Sequence, residues 1–181
     1  MMHFVEALLD PSEQATQFRN QFGVLVFPNA NPDGVDAGHW RHNDHGVDLN
    51  RDWSAFNQPE TQAIKTYLQT AQLEKIVFFV DFHSTYHDVF YLLDDGASEE
   101  AKAICQDWIG RISTQLPEYQ FKMQQVSSEV PASMNWIHAQ FKAPAVTYEV
   151  GDGTNREQLK ETAETAAQAL MYCLLEQDGQ K

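Results

Sequence analysis

Three short clusters concentrate side chains that could do chemistry. The first is Asn31-Pro32-Asp33-Gly34, followed by Trp40-Arg41 and then Gly46-Val47-Asp48-Leu49-Asn50-Arg51-Asp52-Trp53. The second is Asp81-Phe82-His83-Ser84-Thr85, and the third is Thr147-Tyr148-Glu149-Val150-Gly151-Asp152. Together they offer an imidazole able to ligate a metal, a carboxylate able to act as a general base, and arginines able to neutralise a substrate carboxylate and a developing oxyanion. That is the equipment for metal-assisted hydrolysis of an amide. Arginine suits carboxylate recognition because its planar fork makes two parallel hydrogen bonds. Plainer readings stand beside these: NPDG is a turn sequence, Arg51 a surface partner for Asp48 or Asp52, and His83 a hydrogen-bonded core histidine. Glu149 resists such a reading, because a carboxylate in an apolar strand must find partners or shift its pKa.

The elements that must position these residues alternate between β-rich and helix-periodic segments. This predicts an α/β fold with a mostly parallel or mixed β-sheet flanked by helices. Strands are expected at Gly23–Pro28, Lys75–Phe82, Val89–Leu93, Gln120–Gln124 and Ala145–Val150. The second is apolar almost throughout, the pattern of a central strand covered on both faces. Helical stripes run over Phe4–Leu9, Pro59–Ala71, residues 98–115 and residues 156–176, with Pro59 and Glu60 suited to a first turn. The stretch Asn31–Asn57 lacks apolar periodicity and is dense in Pro, Gly, Asn, Asp and His, which reads as a functional loop pinned by burial of Trp40 and Trp53.

At 181 residues the chain is expected to form one domain, 1–181. A formal net charge of −14 repels phosphate backbones and anionic headgroups, so nucleic-acid and membrane partners are not expected. No apolar run is long enough to cross a bilayer, and the first residues have no export signal, so the default compartment for the chain as given is cytoplasmic. Cys105 and Cys173 fall in helical stretches and read as buried thiols.

In order and spacing, NPDG, WR, GVDLNRDW, DFHST and TYEVGD resemble the motifs of the zinc metallocarboxypeptidases of the carboxypeptidase A type, peptidase M14, over about Gln17 to Arg156. The resemblance implies a zinc-dependent carboxypeptidase that removes the C-terminal amino acid of a peptide. It implies His83 as a zinc ligand and Glu149 as the general base. Arg41 would stabilise the oxyanion, and Asn50 with Arg51 would clamp the substrate's C-terminal carboxylate. The implied cofactor is Zn2+, and the implied partner is a peptide or acyl-amino-acid substrate with a free carboxylate.

Departures from the family pattern leave alternatives open. The family's other two zinc ligands lie in an HxxE motif upstream of NPDG. His3-Phe4-Val5-Glu6 matches it literally, but continues a helical stripe and has no strand before it. The expectation is therefore that the true motif and first strands lie upstream of this chain. No tyrosine occurs between Tyr119 and Tyr148, where the family's mobile tyrosine is expected; Ser127 or Ser128 stands there. A deacylase or amidase of the same fold, or a silent carboxylate-binding relative, therefore remains beside the peptidase reading. His39, His42 and His45 crowd the loop but read as polar loop residues, and Met134 is a candidate for the floor of a specificity pocket.

Overall fold

The computed structural model describes residues 1–178. Its centre is a four-stranded mixed sheet in the order β1-β4-β2-β3, where β1 is Phe79–Thr85, β2 Val89–Leu93, β3 Lys122–Val126 and β4 Ala145–Gly151. The pairs β1–β4 and β2–β3 are parallel and β2–β4 is antiparallel. Among the described residues seven α-helices surround it: α1 (Met2–Leu8), α2 (Glu13–Gln21), α3 (Pro32–Asp36), α4 (Pro59–Thr70), α5 (Glu99–Gln115), α6 (Ser133–Phe141) and α7 (Arg156–Asp178).

Strand alternation divides the work between the two sheet faces. Val80, Phe82, Phe90, Val146 and Tyr148 point into the main core against α1, α5 and α7, around the buried Trp108. The Trp108 indole nitrogen donates to the Ala166 carbonyl at 2.8 Å, which satisfies its one polar group. Phe79, Ala145, Tyr91 and Leu93 point the other way, toward α4 and α6. Asp81, His83, Thr147 and Glu149 share that second face by the same period of two. Local signals start the helices: Ser98 caps α5 through the Ala101 amide, ahead of Glu99 and Glu100, and Pro59 opens α4. Both thiols are buried, and burial pushes each up to about 12, so neither is a nucleophile.

Three expectations change. Gly23–Pro28 forms no strand, because no described segment pairs with it; Val24, Leu25 and Phe27 stay exposed. The segment Lys75–Phe82 becomes a strand only from Phe79, and β1 is an edge strand among the described residues, partly buried rather than central. Trp40 is 77% exposed, not buried, whereas Trp53 is 8% exposed and packs against Phe56 and Trp136.

The long loop is held by its own polar side chains. Asn31 caps α3 through the Gly34 amide at 3.2 Å and donates to the His42 carbonyl at 3.0 Å. A Cβ on Gly34 would collide with that carbonyl, so NPDG needs its glycine. Buried Asn43 accepts from the His45 and Val47 amides at 3.0 Å, and Gly46, at φ 73°, turns the chain between them. Asp52, 4% exposed, accepts from the Asn57 and Gln58 amides at 2.9 Å and from the Thr61 hydroxyl at 2.5 Å, tying the loop to the start of α4. Burial opposes its charge, but these donors outweigh burial and hold its carboxyl below the ordinary 3.8. A lowered folded-state pKa stabilises the fold above the unfolded value and loses that stabilisation as pH falls through the folded value. Asp52→Asn is therefore expected to cost about 1.5 kcal/mol at neutral pH. In urea unfolding the gap to wild type narrows below pH 3.8, and equal midpoints at neutral pH would refute it.

Candidate active site

Parallel pairing of β1 and β4 sets His83 directly opposite Glu149, so two motifs 66 positions apart in sequence become neighbours on one face. Next to them on β1, the Asp81 Oδ2 atom lies 2.9 Å from the His83 Nε2 atom. Burial works against a charged imidazole here, but Asp81, with Glu149 and Asp48 nearby, outweighs it and raises the His83 pKa. Glu149 is half-buried. Burial raises its pKa and Asp81 and Asp152 add to the rise, while His83 and Arg41 oppose it.

The loop delivers the other expected residues. A bridge between His42 and Asp48 folds the loop back on itself, bringing Arg41 beside the single 3-10 turn Leu49–Arg51. The Asp48 carboxylate caps that turn through the Asn50 amide at 3.0 Å and lies 3.6 Å from the Arg41 guanidinium. The exposed Trp40 ring lies under Arg41, 4.2 Å from ring centroid to guanidinium carbon, a cation–π contact that narrows the arginine's range. Asn50 reaches α6, where its Oδ1 accepts from the Ser133 amide at 3.0 Å. Its amide hydrogens are thereby left for another acceptor. Arg51 is exposed and donates to the Asn50 carbonyl at 2.8 Å, pairing with neither Asp48 nor Asp52.

Other candidates fall elsewhere. His3 and Glu6 pair with each other at 3.0 Å on α1. That helix packs through Phe4 against Phe82 and Trp108, on the sheet face opposite His83. His39, His42 and His45 are exposed and gather no ligand set; His45 instead contacts Gln58 at 3.1 Å. Met134 lies in a core cluster with Leu93, Ala101 and Ala145. Asp81 and Ser133 had no assigned role in the sequence. Asp81 was legible, because a period of two puts it on the His83 face; Ser133 comes from another element and carries no local sign.

A catalytic zinc needs three protein ligands. His83, with Asp81 behind its far nitrogen, has the form of one such ligand with its outer-shell carboxylate. Among the described residues, however, no three His, Cys, Asp or Glu side chains gather to hold a metal ion. These residues alone therefore do not fit a complete zinc site.

Comparison with known proteins bears on the family and the fold. Cytosolic carboxypeptidase 6 of Caenorhabditis elegans is 28% identical over 142 residues, covering 72% of this chain and 31% of that protein. A metallo-carboxypeptidase of Pseudomonas aeruginosa, solved with (2-guanidinoethylmercapto)succinic acid, superposes with a TM-score of 0.76 at 18% identity, over 96% of this chain and 52% of that one. A metallo-carboxypeptidase of Burkholderia cenocepacia gives 0.73 at 20% identity, over 96% and 51%. The chain thus spans about half the length of these two solved proteins and under a third of the curated relative. No helix among the described residues is long and apolar enough to cross a membrane. The zinc carboxypeptidase family model matches residues 1–172, and the chain belongs to that family, peptidase M14.

Proposed function

We propose that this chain carries the carboxylate-binding and general-base residues of a zinc-dependent carboxypeptidase acting on peptides with a free C-terminus. The observation that carries the reading is the pairing of His83 with Glu149 on one sheet face, with the Arg41 charge near enough to act on Glu149 and Asn50 linked through Ser133 to Asp81 on that face. Asn50, its carbonyl oxygen held by Ser133, donates one amide hydrogen to an oxygen of the substrate's terminal carboxylate, and Arg51 supplies the countercharge. Glu149 takes the proton of the attacking water as its oxygen bonds to the scissile carbonyl carbon, and returns a proton to the amine as the C–N bond breaks. Arg41, steadied by Trp40 and Asp48, neutralises the oxygen that gains charge. His83 is the one zinc ligand proposed among the described residues.

The test is incubation, with added zinc, of the purified chain joined to the HxxE segment that the family pattern expects, with N-blocked dipeptides ending in a carboxylate or in a carboxamide, release of the last residue being followed by mass spectrometry. Release from the carboxylate series alone is the expected result. Hydrolysis of N-acyl amino acids in preference to dipeptides would favour a deacylase, the alternative that the missing tyrosine between Tyr119 and Tyr148 keeps in view. No release from any of them would overturn a hydrolase role for this chain.

A further inference from the structure

We propose that Ser133 is a positioning residue that couples the Asn50 end of the site to the His83 imidazole through Asp81. The proposal rests on the reading of Asn50 and His83 as site residues, but not on turnover.

Ser133 is buried and is the first residue of α6. It makes two connections in opposite directions. Its amide donates to the Asn50 Oδ1 atom at 3.0 Å, and its hydroxyl donates to the Asp81 Oδ2 atom. The residue before it, Ala132, has no side chain able to cap the helix, so Asn50, 83 positions upstream, fills that place. The connection at Asp81 is shared, because the same Oδ2 atom lies 2.9 Å from the His83 Nε2 atom. A ring nitrogen bearing a lone pair would repel a carboxylate oxygen at that distance, so Nε2 carries the hydrogen. In the neutral ring the lone pair then sits on Nδ1.

Two properties of the site therefore depend on one buried hydroxyl-bearing residue. Its amide selects which end of the Asn50 side chain faces a ligand. Its hydroxyl keeps the partly exposed Asp81 carboxylate turned toward the imidazole, which selects the tautomer and holds the ring plane. A serine that merely began a helix would need neither connection. Alanine there would retain the amide but release Asp81, and threonine would retain both.

Long-range proton–nitrogen correlation of the His83 ring in the full chain, at a pH where the ring is neutral, tests this without substrate or metal. Wild-type protein is expected to have the ring hydrogen on Nε2. Ser133→Ala is expected to raise the Nδ1–H fraction about threefold, as one hydrogen bond to the carboxylate is lost, and Ser133→Thr to return it to wild type. Coupling is read by adding Asn50→Ala. That substitution shifts the ring nitrogens when Ser133 is present and leaves them in place in the Ser133→Ala background, a non-additivity that only connected residues produce. A wild-type ring protonated on Nδ1, a Ser133→Ala spectrum that superposes on wild type, or additive shifts in the double variant would each overturn the proposal. The wild-type spectrum is decisive even if a variant fails to fold. Absence of peptidase activity would refute the proposed function and leave the tautomer result standing.

Discussion

Glu149→Gln, in the chain joined to the family's HxxE segment, is expected to lower kcat by about 10²- to 10⁴-fold, the contribution of a positioned general base, with KM changed by no more than a few-fold. Glutamine keeps the size and hydrogen-bonding reach of glutamate but cannot accept the proton of water. The folded state already disfavours a charge at this position. Burial raises the Glu149 pKa from its ordinary 4.5, Asp81 and Asp152 raise it further, and His83 and Arg41 only partly offset them. For a carboxyl group whose folded pKa is raised, ionisation destabilises the fold at pH values above that pKa. Removing the charge at neutral pH should therefore leave thermal stability equal or higher, a trade of stability for function that active sites commonly carry. Steady-state kinetics and a melting curve on the same preparation check both halves. Turnover within tenfold of wild type would remove Glu149 from the role of base, and a large fall in melting temperature would make it a structural residue.

Arg51→Ala is expected to raise KM by about 10- to 100-fold for substrates with a free C-terminal carboxylate, the equivalent of one charge-assisted hydrogen-bonded pair. Substrates ending in a carboxamide should barely respond. Arg51 is exposed, makes no ion pair among the described residues and donates only to the neighbouring Asn50 carbonyl, so its removal should not disturb the fold. Arg41, exposed as well, differs in its partners: Asp48 and the Trp40 ring both hold it in place. Lysine at position 51 should recover only part of the preference, because an ammonium cannot make the two-pronged contact. The decisive quantity is the ratio of kcat/KM for carboxylate and carboxamide substrates. A fall of the same size for both would mean that Arg51 is no carboxylate clamp.

Much of the frame was legible before any coordinates. The stripe from Ala101 to Ile112 read as a helix and is the buried face of α5, and Val89–Leu93 agrees at both ends with β2. These elements follow local periodicity, and tertiary packing reinforces it. Gly23–Pro28 has the composition of a strand without being one, because a strand needs a partner and composition does not say whether one is present. The same limit made β1 look central: its apolar run records what can be covered, not what covers it among the described residues. Trp40 went the other way. Large aromatics are usually buried, yet this one lies outside and packs its face against a charged neighbour.

By itself the sequence determined the kinds of chemistry available, the order of the motifs that carry them, and the face that each strand residue must share with its second neighbour. Period and side-chain type are local properties, so His83 and Glu149 could be named without knowing what surrounds them. The tertiary structure alone decided that β1 and β4 run parallel in a register setting His83 across from Glu149, and that α6 brings Ser133 between Asn50 and Asp81. Those meetings join residues 52 to 83 positions apart. No local pattern encodes them, because they follow from the packing of the loop and α6 around one end of the sheet.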